Sequence, residues 1–270
     1  MNHDFLHTTL GRTGMPVHRL GLSASYWPGK RAIYRALDEG LNYFFHYGFD
    51  FQMIKVLRDV LKGNREKCVV ATGAYNYIWW RQDIRRTLEK RLRQLGTDYI
   101  DVFQFLGVIK RREFPEQVQE ELQALKEEGR VRAIAISTHD RQFAGELAAR
   151  GALDVLMIRY NAAHRGAEQD IFPHLASHNP GVVTYTATRW RRLLQRPRGW
   201  PPDGRVPTAG MGYRFVLSNP HVHICLNAPS NEKQLLDNLA AVRQGPLDEE
   251  EMQFMRAFGE AVHQQHRRFG

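Results

Sequence analysis

Two histidines stand beside carboxylates that could make them acids or bases. His46 precedes Asp50 by four residues in the stretch GLNYFFHYGFD, residues 40 to 50. If this stretch begins a helix, the two side chains share a face, and the carboxylate can orient the imidazole for proton transfer. His139 is followed directly by Asp140 and offers a second acid or base, or alternatively a residue of a helix start. No third ligand accompanies the two histidines, so no metal centre is expected. The remaining feature is cationic. Residues 189 to 205 hold six arginines, starting with Arg189, among prolines, glycines and the pair Trp190 and Trp200. Guanidinium groups in that density suit a pyrophosphate.

Alternating strands and helices must position these groups. Leu20 to Ser23 reads as a first core strand and Lys30 to Glu39 as a helix stopped by Gly40. Asn42 to His46 is a second strand, followed by a helix from Phe51 to Leu61. Cys68 to Thr72 is a continuous apolar run, the pattern of a strand covered on both faces. Ile84, Leu88, Leu92 and Leu95 recur at helical spacing. Further strands fall at Tyr99 to Phe105, Val131 to Ser137, Asp154 to Tyr160, Gly181 to Thr186 and Val222 to Leu226. Helices fall around Val118 to Leu125, Phe143 to Ala149, Leu235 to Val242 and Phe254 to Val262. Residues 5 to 19 read as a hairpin turning at Gly11 to Gly14. Eight strand–helix units predict an α/β fold, a (β/α)8 TIM barrel with an N-terminal β-hairpin, as a single domain over residues 1–270. A doubly wound open sheet would need a Gly-rich turn after the first strand, and Ser23-Ala24-Ser25-Tyr26-Trp27 is not one. The stretch from Arg189 to Thr208 reads as one long loop at the C-terminal end of the seventh strand, a place of function in such barrels.

The strand ends are polar and aromatic. His46, Tyr47 and Asp50 follow the second strand; Tyr75, Tyr77, Trp79 and Trp80 follow the third. Aromatic side chains near a wet rim could wall a pocket for a flat ligand.

Composition bounds the partners. The formal charge is +9 and the pI about 9.7, so anions are attracted: nucleic acid, an acidic lipid surface, a phosphorylated cofactor or a small acid. No nucleic-acid module accompanies the arginine run, so a small-molecule substrate is expected rather than nucleic acid. No stretch approaches 18 apolar residues, and MNHDFLHTTL lacks the pattern of a signal segment. Cys68 and Cys225 lie in apolar runs and read as reduced buried thiols; the expectation is a cytoplasmic protein.

Several segments resemble the aldo-keto reductases. These are LGRTGMPV at residues 10 to 17 with RLGL at 19 to 22, GLNYF at 40 to 44, DYIDVFQ at 98 to 104 and SNEKQLLDNL at 230 to 239. The resemblance spans nearly the whole chain in order. It implies an eight-stranded barrel that binds NADP(H) or NAD(H) without a Gly-x-Gly-x-x-Gly loop. It also implies carbonyl reduction by an aspartate, a tyrosine, a lysine and a histidine. At the matching places this chain has Phe45, Asp50, Gly73 and Leu106. Tyr47, three residues before the tyrosine's place, is the candidate replacement. For the cofactor, the resemblance implies Ser230, Asn231, Gln234 and Asn238 at the adenosine end, and Ser137 and Tyr185 at the nicotinamide. Thr138 and Met157 stand where an asparagine and a glutamine usually read the carboxamide. Three functions follow as expectations: an NADP(H)-dependent oxidoreductase with non-standard acid–base residues, a lyase or isomerase acting on a small anionic or aromatic substrate, or a catalytically silent ligand- or protein-binding barrel.

Overall fold

The computed structural model describes residues 4–76 and 80–265. A two-stranded antiparallel hairpin, β1 (His7–Thr9) and β2 (Pro16–His18), precedes a closed barrel. The barrel strands are β3 (Leu20–Ser23), β4 (Tyr43–Phe45), β5 (Val69–Tyr75), β6 (Ile100–Val108), β7 (Val131–Thr138), β8 (Val155–Arg159), β9 (Gly181–Tyr185) and β10 (Ile224–Asn227). All pair in parallel in chain order, and β10 closes on β3. The open-sheet alternative is thereby excluded.

The helices are α1 (Lys30–Asp38), α2 (Phe51–Asn64), α3 (Ile84–Leu95), α4 (Glu116–Glu127), α5 (Arg141–Ala149), α6 (Ala167–Asp170), α7 (Ala209–Leu217), α8 (Glu232–Val242) and α9 (Glu249–Gln265). Local chemistry fixes many of their ends. Asp83 accepts from Arg86 N, Asp140 from Phe143 N, Thr208 from Met211 N and Asn231 from Gln234 N, each satisfying a helix N-terminal donor. Gly96 ends α3 in the left-handed region.

Two layers of core result. Tyr43, Phe45, Ala71, Val102, Ala135, Met157 and Leu226 fill the barrel interior, and Leu10, Met15 and Val17 of the hairpin segment join that same cluster. The second cluster lies between strands and helices and includes Leu57, Leu88, Leu122, Leu147 and Leu239. Two buried aspartates stitch the elements together. Asp101 accepts from Arg65, Arg132 and Val70 N, and Asp154 from Arg12, Lys126 and Ile134 N. Cys68 and Cys225 are buried and free.

Three expectations need correction. β5 runs on to Tyr75 and β6 to Val108, each three residues beyond the apolar run. Parallel pairing continues through Tyr75 with Leu106, and an irregularity between Phe105 and Val108 absorbs the mismatch with β7. The loop from Arg189 is not structureless to Thr208: Arg192–Leu194 forms a 3-10 turn. The helix that follows it, α7, has buried residues from Gly210 through Leu217, so no polar face marks it in the sequence.

Candidate active site

The C-terminal strand ends surround a cavity of about 300 Å³. Phe45, Leu106, Met157 and Leu226 give it an apolar floor, and Tyr26, Tyr47, Tyr75, Tyr185, Trp190 and Tyr213 give it an aromatic wall. Among the described residues, no aspartate, glutamate, lysine or arginine lines it. A neutral, flat molecule suits such a lining, because a charged one would lose hydration without gaining a counter-ion.

Tyr47 is held on every side. Its hydroxyl meets Ser25 Oγ at 2.6 Å, and Ser25 meets Ser23 Oγ at 2.8 Å. Its ring stacks against Phe49 and Tyr75, with centroids 5.5 and 6.2 Å away. Behind it, Arg91 of α3 donates to the Tyr47 and Gly48 carbonyls at 3.0 and 3.2 Å. Its own backbone N–H donates to Asp50 at 2.7 Å. The phenol is therefore a fixed hydroxyl in the cavity with a chain of two serine hydroxyls behind it.

Asp50 and His46 are placed differently from the sequence expectation. His46 is fully buried and does not line the cavity. It precedes α2 rather than lying on it, and its Nδ1 stays 3.9 Å from Asp50 Oδ2, beyond hydrogen-bond reach. Neither ring nitrogen has a partner among the described residues. Burial, helped by the Arg91 cation, pushes its pKa down to about 3. It is a neutral core group under the site.

Its burial has a consequence for stability. The folded imidazole stays neutral down to about pH 3, whereas the unfolded chain protonates it below about 6.5. The stability that depends on neutral His46 is complete above pH 6.5 and is lost as pH falls from there toward 3. At pH 5 the loss is about 2 kcal/mol relative to pH 8. Urea unfolding at both pH values should show His46→Gln losing less stability on acidification than the parent; an identical pH dependence rules this out.

His139 and Tyr185 meet at the opposite wall, with Nε2 3.5 Å from the phenol oxygen and the rings edge to face. Ser137 lines the cavity beside them. Burial pushes the Tyr185 hydroxyl up to about 12, so it remains protonated. Of the third-strand aromatics, Tyr75 reaches the cavity and Trp80 does not; Tyr77 and Trp79 lie outside the described residues.

A second cleft of about 540 Å³ adjoins the first and shares Tyr26, Thr188, Tyr213 and Ala228 with it. Ser230, Gln234 and Asn238 line it at the start of α8. Gln234 accepts from Ser230, and Asn238 donates to Asn227 Oδ1 at 2.9 Å. Asn231 caps the helix and is not in the lining. Of the six arginines only Arg191 reaches this cleft. Arg189 is instead buried and donates to the Val262 carbonyl at 2.9 Å. Arg189, Trp190 and Arg191 all have positive φ, between 49° and 69°. Three successive non-glycine residues there cost about 1–2 kcal/mol each. This conformation puts Trp190 on the first cavity and Arg191 on the second.

Sequence reading missed Ser25, Tyr26 and Tyr213. The first two were legible as hydroxyls directly after the first core strand; Tyr213 sits on the helix without a polar face.

The places to which the resemblance assigns the four reductase groups are now defined. Phe45 and Leu106 lie in the cavity floor, and Asp50 is the buried residue before α2. Gly73 lies mid-strand in β5, where a Cβ would overlap the Gln104 carbonyl oxygen of β6.

Comparison with known proteins agrees with this architecture. A sequence profile described as the Aldo/keto reductase family matches residues 31–195. The chain is 22% identical over 292 residues to the Uncharacterized oxidoreductase YqkF of Bacillus subtilis, covering 92% of this chain and 94% of that one. Its fold resembles the holo form of aldo-keto reductase AKR11C1 from Bacillus halodurans, with a TM-score of 0.78, 23% identity, and coverage of 97% and 99%. It also resembles an aldo/keto reductase from Klebsiella pneumoniae in complex with NADP and acetate, with a TM-score of 0.75, 21% identity, and coverage of 94% and 95%.

Proposed function

The chain belongs to the aldo/keto reductase family, and from that premise we propose that it is an oxidoreductase that binds NADP(H) across the two joined clefts and reduces a neutral, flat acceptor. The observation that carries this reading is the junction itself. An uncharged aromatic cavity opens, through shared walls, into a polar cleft at the start of α8. A dinucleotide has one end suited to each.

The residues present fit most of that cofactor. Ser230, Gln234 and Asn238 offer hydrogen bonds at the adenosine end, and Arg191 a cation for phosphate. Tyr185 and Ser137 face the other end. Met157 offers no polar group to the carboxamide. Thr138 is buried with its hydroxyl turned to Asp140 N. Bound there, a dihydronicotinamide supplies a hydride.

Tyr47 supplies the proton. Its hydroxyl is fixed by Ser25, which can return a proton to it through Ser23. Transfer from a phenol to a phenolate runs between groups of the same kind, whereas an alkoxide demands far more stabilisation. The site therefore suits acceptors whose reduced form is a phenolate, such as quinones, better than aliphatic aldehydes. Overall, the acceptor gains two electrons and two protons as hydroquinone, one hydrogen from the hydride and one from Tyr47.

Calorimetric titration with NADPH should give micromolar binding that survives moderate salt and weakens about tenfold in Arg191→Gln, the loss of one charge-assisted contact. A steady-state screen should then show NADPH oxidation with quinones and little with aliphatic aldehydes. No binding at millimolar NADPH, or binding with no acceptor reduced, refutes the assignment.

A further inference from the structure

A separate concavity of about 230 Å³ lies between the segment after β8, the first residue of α5 and the last turns of α9. It shares no lining residue with either cleft above. Its chemistry is opposite to that of the uncharged cavity. Among the described residues, Arg141, Arg159 and Arg165 line it, against one carboxylate, Glu260. Glu260 is engaged by Gln264 at 3.0 Å, and Arg141 by Asp170 at 2.7 Å. The side chains of Arg159 and Arg165 make no hydrogen bond or ion pair with any described residue.

Arg159 is half-buried at the end of β8, where a bare cation is costly. Burial lowers its pKa, and the neighbouring Arg141 cation lowers it further. A second group is stranded beside it. His164 is only 6% exposed and lines the concavity, yet neither ring nitrogen has a partner among the described residues. It stands edge to face with His263, 5.6 Å between ring centres, and His263 Nδ1 is also buried without a partner among the described residues. A buried donor left without a partner destabilises the fold. The backbone is shaped to the same purpose: a Cβ at Gly166 would come within 2.5 Å of Arg141 Cζ, so glycine lets that guanidinium lie across the loop.

We propose that this concavity binds a small oxyanion, a carboxylate or phosphate group, held by Arg159 and Arg165 with His164 donating one ring N–H. A cation would face three arginines, and a neutral ligand would leave Arg159 unpaired. An oxyanion presents lone pairs to both guanidinium forks and to the imidazole N–H, and so pairs all three of these donors. The ligand is distinct from the nucleotide phosphates, whose proposed cleft is lined by other residues. It is either a free anion or the acidic tail of an acceptor reaching across the mouth, since Arg159 lies close enough to act electrostatically on His139 and Tyr185.

The test uses the full chain without nucleotide, titrated calorimetrically with inorganic phosphate and separately with acetate. Saturable binding should weaken at least tenfold in Arg159→Gln and in Arg165→Gln, and stay within twofold in Arg93→Gln, which removes an exposed charge of α3. Without phosphate, Arg159→Gln should melt no lower than the parent, because a stranded cation has been removed; the rise in Tm that phosphate gives the parent should vanish. If neither free anion binds but turnover favours acid-bearing quinones, and Arg159→Gln abolishes that preference, the oxyanion belongs to the acceptor. Binding weakened by Arg191→Gln but not by Arg159→Gln overturns the proposal. So does the absence of both free-anion binding and an Arg159-dependent acceptor preference. The calorimetric arm involves no NADPH, so its outcome is independent of the oxidoreductase reading.

Discussion

Tyr47→Phe should lower kcat/KM for quinone reduction by about a hundredfold or more, the usual worth of a positioned general acid. The ring would still stack on Phe49 and Tyr75, and the loop would still be held by Arg91 and Asp50. Only the hydroxyl and its bond to Ser25 are removed. NADPH affinity should therefore be unchanged, which separates loss of a proton donor from loss of the cavity wall. Ser25→Ala should cost less, because water can replace one hydroxyl of the relay, and it should shift the pH profile rather than remove activity. If Tyr47→Phe turns over quinones like the parent, the proton comes from elsewhere, and His139 at the rim becomes the group to replace.

The second large effect concerns an attempt to rebuild the family's lysine. Gly73→Lys should destabilise the barrel by about 3–5 kcal/mol, in the range of severe core substitutions, and should not raise activity. The reason is backbone rather than side chain. A Cβ at position 73 overlaps the Gln104 carbonyl of the adjacent strand, so β5 and β6 must separate to admit any side chain. The added ammonium would then sit near Phe45 and Leu106, with no carboxylate among the described residues lining the cavity to receive it. Gly73→Ala should carry most of the penalty. Urea unfolding of both variants decides the point. A Gly73→Ala variant as stable as the parent would mean that the strands part easily and that the close approach is not the constraint.

These expectations show why some of the site was legible in the sequence. Tyr47 and His139 were singled out because each follows an apolar strand, and in a parallel barrel those ends share one rim, whereas Ser137 and Tyr185 came from the resemblance; all four line the cavity. Ser230, Gln234 and Asn238 were found through resemblance, and they do line one cleft. His46 was misplaced because a sequence spacing of four residues implies a shared face only inside a helix. Here the chain turns between Tyr47 and Asp50 before α2 begins. Arg189 was chosen for its charge, but its backbone conformation turns it into the core and leaves Arg191 facing the cleft.

The sequence by itself determined the barrel. Eight apolar runs with helices between them leave few other ways to bury both faces of every strand, and that pattern is local. It also determined that Phe45, Gly73 and Leu106 bring neither charge nor proton to the places they occupy. Only the tertiary structure decided what surrounds those places: the uncharged cavity, the serine chain behind Tyr47, the closure of β5 on β6 at Gly73, and the cations gathered around His164. Each of these joins residues far apart in the chain, and whether a polar group is solvated, paired or stranded depends on neighbours that only folding supplies.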